Sequence, residues 1–270
     1  MLKTFDFTGK VAIVTGGGTG LGREVARGLA DLGADVAVAG RRLGPIEETA
    51  REVEAAGRRS LAISTDVIDS TQVNNLIDRT ISELGRIDIL INNAGIAGAD
   101  DPTKAIWEIS DEAWRQGIDG DLTGSFYCAR AAGKHMVERG YGKIVNVSSG
   151  FGYGTRRGQV MYGVAKAGVI QLTRVLAMQW ARNNINVNCI VPGAFAVTPE
   201  EMAKTREERA HRFIPAGYVA TAKELVGLVI FLCSDSASYI TGENVMVAGG
   251  ALIGAYAPWG YQPIIPLVEG

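Results

Sequence analysis

The segment VAIVTGGGTGLGREVARGLADLGA, residues 11–34, changes its period halfway along. Val11 to Thr15 is a continuous apolar run rich in β-branched residues, which suits a strand buried on both faces. Leu21 to Ala34 spaces its apolar residues as a helix does, and Gly33 stands where a glycine commonly ends one. The two are joined by Thr15-Gly16-Gly17-Gly18-Thr19-Gly20-Leu21-Gly22. Strand, glycine turn and helix in that order open a β-α-β unit.

Working outward, the alternation continues. Short Val/Ile-rich runs recur at 35–40, 61–65, 87–92, 143–148, 185–191 and 244–249. Amphipathic stretches such as TQVNNLIDRTISELG at 71–85 lie between them, and Gly57 and Gly85 mark further helix ends. The pattern predicts an α/β fold: a doubly wound, parallel, seven-stranded sheet with helices on both faces. No linker or repeat interrupts the 270 residues, so the reading is one domain spanning 1–270.

Composition narrows the function. Hydrophobic residues are 47% of the chain, enough for a sizeable core, and the net charge of -2 with no basic run argues against nucleic acid or an anionic membrane surface. No run of eighteen apolar residues occurs, which argues against a membrane span. Cys128, Cys189 and Cys233 fall in no paired motif and sit among apolar residues, as expected of a reducing, cytoplasmic setting. No metal site is expected.

The glycine turn supplies the first functional reading. Glycines let the backbone turn tightly and approach a pyrophosphate, and the following helix presents free N–H groups and a positive dipole end. A second signal is MYGVAKAG, residues 161–168, which sets Tyr162 and Lys166 four apart, on one helical face. Taken separately, each motif has an ordinary explanation: a turn without a ligand, or a surface pair on a helix.

Together the motifs resemble the short-chain dehydrogenase/reductase family. The turn has that family's TGxxxGxG spacing, Asn92-Asn93-Ala94-Gly95 follows the fourth strand, and Tyr162 and Lys166 match its YxxxK. Ser149 stands thirteen residues before Tyr162, and Pro192-Gly193 follows the sixth strand. The resemblance spans residues 7–250. It implies a Rossmann-type domain that transfers hydride between a nicotinamide cofactor and a small carbonyl or alcohol substrate. Tyr162 would be the general acid/base, Lys166 would favour its phenolate and bind the nicotinamide ribose, and Ser149 would steady the substrate oxygen. The cofactor residues implied are Gly16, Gly18, Thr19, Gly20, Leu21, Gly22, Asp66, Val67, Asn93, Ala94, Gly95, Pro192 and Gly193, with Tyr162 and Lys166.

Cofactor choice is read at the end of the second strand. An NAD-selective site places a carboxylate there for the ribose 2′-OH. This chain has Gly40 followed by Arg41 and Arg42, which suit a 2′-phosphate, so NADP(H) is expected over NAD(H). The pattern breaks once: Asp121, in Gly120-Asp121-Leu122-Thr123-Gly124, stands where the family usually carries Asn. An ionised aspartate accepts hydrogen bonds but donates none, and its charge would hold protonated Lys166 and oppose a Tyr162 phenolate.

Three further expectations concern the periphery. Residues 194–218 read as a lid over the substrate, carrying the charged stretch 199–212, in which His211 is given no catalytic role. Phe151, Tyr153 and Met161 suggest an apolar wall, with Arg156 and Arg157 nearby. The aromatic, proline-rich tail 251–270 is expected to pack at a subunit interface of a homotetramer. The helices around 111–139 and 158–183 would pair in it, through apolar faces including Phe126, Leu172 and Leu176. The functions left open are an NADP(H)-dependent carbonyl reductase, an NAD-dependent sugar, polyol or cyclic-alcohol dehydrogenase, a lyase or epimerase reusing the same pair, and a catalytically dead nucleotide-binding protein.

Overall fold

The computed structural model describes residues 5–95, 105–155, 158–196 and 214–252. The charged stretch 199–212, the tail beyond Leu252 and the pair Arg156 and Arg157 lie outside the described residues.

The elements follow the predicted alternation. β1 is Val11–Thr15, α1 Gly20–Asp31, β2 Asp35–Gly40, α2 Leu43–Ala55, β3 Ser60–Ser64, α3 Ser70–Leu84 and β4 Ile89–Asn92. Next come α4 Asp111–Ile118, a π-helical turn Asp119–Thr123, α5 Gly124–Arg139 and β5 Gly142–Val147. The chain continues with α6 Val160–Trp180, β6 Ile185–Pro192, β7 Phe195–Ala196, β8 Ala220–Thr221, α7 Lys223–Cys233 and β9 Asn244–Val247.

Seven strands form one sheet in the order β3-β2-β1-β4-β5-β6-β9, all neighbours parallel. Side chains alternate between its faces. Ala12 and Val14 pack under α1, α2 and α7 with Val25, Leu29, Val53 and Val229. Val11 and Ile13 pack on the other face under α3, α5 and α6 with Leu76, Ala132, Met136 and Leu176. The sheet is therefore wound on both sides, as the buried apolar runs required.

Strand order reverses at β1. The chain leaves β1 for β2 and β3 on one side, then returns as β4 on the other. Such a switch point opens a crevice at the carboxyl ends of the two strands, where ligands of this architecture bind.

Two departures from the sequence reading matter for the site. The span 111–139 is not one continuous helix. At Asp119–Thr123 it widens into a π turn, with the Gly124 N–H bonded to the Asp119 carbonyl. β7, at the start of the span 194–218, pairs in parallel with β8 just beyond it, outside the main sheet. One assembly residue is also corrected. Leu176 is spent on this chain's own core, and Leu172 packs against the same cluster. Phe126 faces outward as expected, and on α6 Val164, Val175 and Met178 do so as well.

Candidate active site

The site is built around the β1–α1 turn. Gly16 has φ +63°, in the left-handed region that glycine tolerates. The turn is also too crowded for side chains: a Cβ on Gly22 would fall 2.3 Å from the Gly16 carbonyl oxygen, and one on Gly18 2.9 Å from Pro45. Thr19 caps α1 without a side-chain hydrogen bond, and the first turn holds no acidic residue. The first turn of α1 thus sets no carboxylate of its own against its N-terminal N–H groups and dipole, which fits a dinucleotide pyrophosphate.

A hydrogen-bond staple ties this turn to the end of β4. The backbone N–H groups of Asn93 and Ala94 donate to Thr15 Oγ1 at 3.1 and 3.0 Å. The Asn93 amide donates to the carbonyls of Thr15 and Gly16 at 3.0 and 3.2 Å. The sequence reading missed Thr15. Its signal was a hydroxyl at the last position of an otherwise apolar strand.

β5 and α6 position the residues expected to react. Ser149 follows β5, caps the short turn Gly150–Gly152 and accepts from the Phe151 N–H at 3.3 Å. The plain cap reading of this serine is therefore met, and its position beside the cavity is met as well. Tyr162 and Lys166 lie on α6, with Lys166 Nζ 5.5 Å from the centre of the Tyr162 ring. Phe151 meets that ring edge-on at 6.2 Å between centroids. Lys166 is held at both ends. Its carbonyl accepts from Ser148 Oγ at 2.7 Å, and its Nζ donates to the Val147 carbonyl at 3.0 Å. The π turn brings in Asp121, whose Oδ1 lies 2.9 Å from Lys166 Nζ with the carboxylate 1% exposed.

One cavity of about 790 Å³ joins these parts. Of the residues predicted for the site, Gly22 lies behind the lining, and the rest face the cavity, from Gly16 and Arg41 through Asp66 and Asn93 to Ser149 and Gly193. Pro45, Ile46, Phe195, Ala222 and Leu225 line it too and were not foreseen. They are apolar residues whose role depends on how α2, β7 and α7 fold over the crevice. Cys189, near Lys166, is pushed up to about 11, chiefly by burial, so its thiol stays protonated at neutral pH. Among the described residues no cluster of metal-ligating side chains occurs.

Comparison with known proteins agrees with this geometry. The family described as enoyl-(acyl carrier protein) reductase matches residues 16–251. The chain is 36% identical to 2-dehydro-3-deoxy-D-gluconate 5-dehydrogenase of Escherichia coli (strain K12), over 93% of this chain and 99% of that one. It is 39% identical to cis-4-hydroxycyclohexanecarboxylate dehydrogenase of Sinomonas cyclohexanicum, over 90% and 97%. A crystal structure of a short-chain type dehydrogenase/reductase from Mycobacterium marinum superposes with a TM-score of 0.84 at 34% identity, covering 93% of this chain and 98% of that one. With its glycine turn, switch-point crevice and Ser149, Tyr162 and Lys166 around one cavity, the chain belongs to the short-chain dehydrogenase/reductase family, and its named relatives are dehydrogenases and reductases.

Proposed function

We propose that the protein interconverts a ketone or aldehyde and a secondary alcohol, using NADP(H) in preference to NAD(H). The observation that carries the reaction is that Ser149, Tyr162 and Lys166 line the same cavity as the glycine turn. When bound, the cofactor supplies or accepts the hydride at its nicotinamide. The chain's own groups do the rest. Tyr162 gives its phenolic proton to the carbonyl oxygen in reduction and takes the hydroxyl proton in oxidation. Lys166, one turn away, places an ammonium beside the phenol and favours its anionic form during transfer. Ser149 donates a hydrogen bond to the substrate oxygen as charge develops on it.

The preference for NADP(H) rests on the end of β2. Gly40 offers no carboxylate to a ribose 2′-OH, while Arg41 and Arg42 line the cavity there and are exposed. Guanidinium groups match a 2′-phosphate with charge-assisted hydrogen bonds. Phe151 packs edge-on against the Tyr162 ring, and Leu252 packs beside Gly150. Two relatives are named for a sugar acid and a hydroxycyclohexane carboxylate, so a compact secondary alcohol, cyclic or sugar-derived, is the substrate class favoured here.

A homotetramer in the cytoplasm is part of the same reading. The three cysteines are free and buried, which suits a reducing compartment. No helix among the described residues is long and apolar enough to cross a membrane. The experiment is an absorbance assay at 340 nm with both cofactors against a panel of cyclic ketones, sugar acids and secondary alcohols. Turnover with NADP(H) on at least one class supports the proposal. No turnover with any of them, despite bound cofactor, points to a non-catalytic nucleotide-binding protein.

A further inference from the structure

Lys166 enters the chemistry as a cation, yet the fold gives that cation a buried counter-ion. Asp121 and Lys166 approach to 2.9 Å with their side chains 1% and 6% exposed. Apart from the Lys166 ammonium at Oδ1, the Asp121 carboxylate has no hydrogen-bond partner among the described residues, so Lys166 is its compensation. Gly95 closes the third side: a Cβ there would fall 2.3 Å from Asp121 Oδ1 and 3.4 Å from Lys166 Nζ. Both charged groups line the cofactor cavity. Its other charged lining residues, Arg41, Arg42 and Asp66, follow β2 and β3 at the far end. Among its described lining residues the reactive end thus sets one basic side chain against one acidic one, Lys166 against Asp121.

We propose that Asp121 sets the redox preference of the bound cofactor, its carboxylate cancelling the Lys166 ammonium so that the cationic, oxidised nicotinamide is not repelled from the site. This rests on the reading of the cavity as a nicotinamide-dinucleotide site with its reactive end at Lys166. The oxidised ring bears a positive charge that the reduced ring lacks, so a change of one charge in the pocket acts on one form and not the other. At an effective dielectric of about 20 and a separation of about 10 Å, that change alters the affinity ratio on the order of tenfold. Retaining the oxidised form also makes bound reduced cofactor a stronger hydride donor. The equilibrium on the enzyme then tilts toward alcohol.

The test is binding, read without turnover. Dissociation constants of NADP+ and NADPH, with NAD+ and NADH as a second pair, are measured by fluorescence titration for four proteins: wild type, Asp121→Asn, Lys166→Met and the double variant. Contacts to ribose and phosphates are common to both redox forms and drop out of the oxidised-to-reduced ratio. Asp121→Asn should raise that ratio about tenfold, Lys166→Met should lower it, and the double variant should return it close to wild type. A lone buried ammonium can destabilise Asp121→Asn. If that variant does not fold, the step from Lys166→Met to the double variant should still raise the ratio about tenfold. Ratios within twofold of one another across the folded variants overturn the proposal while leaving the dinucleotide reading intact. Failure of the wild type to bind either redox form of either cofactor overturns both.

Discussion

Tyr162 and Arg41 illustrate how differently single residues act at one cavity. Tyr162 presents a phenol beside Lys166 and against the edge of Phe151. Tyr162→Phe keeps the ring and its packing and removes only the proton donor. The expected outcome is a loss of kcat of at least about a hundredfold with cofactor affinity nearly unchanged, measured by steady-state assay and fluorescence titration. Near-normal turnover would identify another group as the acid. Arg41 lies at the opposite end of the cavity and is solvent-exposed. Arg41→Ala should weaken NADP(H) about tenfold while NAD(H) changes little, because only the former offers a 2′-phosphate. Equal losses for the two cofactors would remove the arginine from cofactor selection. Legibility also differs by residue. Ser149, Tyr162 and Lys166 became candidates through the family resemblance that their spacing carries, and all three line the cavity. Thr15 did not become one, since its hydroxyl serves two backbone N–H groups some 78 and 79 positions along the chain.

At the scale of elements, packing decides what spacing leaves open. α5 and α6 cross where Gly133 meets Trp180: a Cβ on Gly133 would fall 2.4 Å from the indole. Gly133→Ala should therefore overpack this crossing and cost about 1–3 kcal/mol, seen as a lower Tm, even though alanine favours helix more than glycine. A raised Tm would show that Trp180 swings away freely. β2 and β3 are joined at their entry by Asp35, which accepts from the Arg59 N–H at 3.0 Å, Arg59 Nε at 2.8 Å and Arg58 Nη2 at 3.0 Å. Burial alone would raise this carboxyl, but the Arg59 and Arg58 hydrogen bonds and charges outweigh it and hold it below its usual range. A carboxyl lowered by folding contributes stability that is present above its unfolded value and lost as pH falls through the folded one. Asp35→Asn should be less stable than wild type at neutral pH, and the difference should shrink in acid denaturation below about pH 4. A constant difference across that range would rule out the ionised form as the stabilising one. The π turn at Asp119–Thr123 belongs to this scale too. Its extra residue per turn carries Asp121 to Lys166, and no helical periodicity in the sequence announces it.

For the whole molecule the open question is what covers the outer apolar surface. Met178 is 83% exposed and Trp107 89%, with Val164, Val175, Phe126 and Trp114 also outward. Large exposed apolar side chains gathered in a patch mark contact surfaces. The proposed homotetramer would bury them, pairing α4, α5 and α6 with a second copy. Sedimentation velocity should show a single species of about four chains. Introducing Val175→Glu together with Met178→Glu should shift it to smaller species without unfolding the monomer. A wild type sedimenting as a monomer, or a double variant with unchanged mass, would end that proposal.

The sequence by itself determined the fold class, the glycine turn and the seven strands of the main sheet within a residue or two. These follow from period, glycine placement and short spacings, all of which are local along the chain. Only the tertiary structure decided which residues converge. The sheet order brings the end of β4 beside the β1 turn, so Asn93 and Ala94 reach Thr15. The folding of α2, β7 and α7 over the crevice adds Pro45, Phe195 and Leu225. A local widening of one helix makes Asp121 the counter-ion of Lys166. Each of these joins residues far apart in sequence, and burial energy and backbone geometry, rather than residue type, select them.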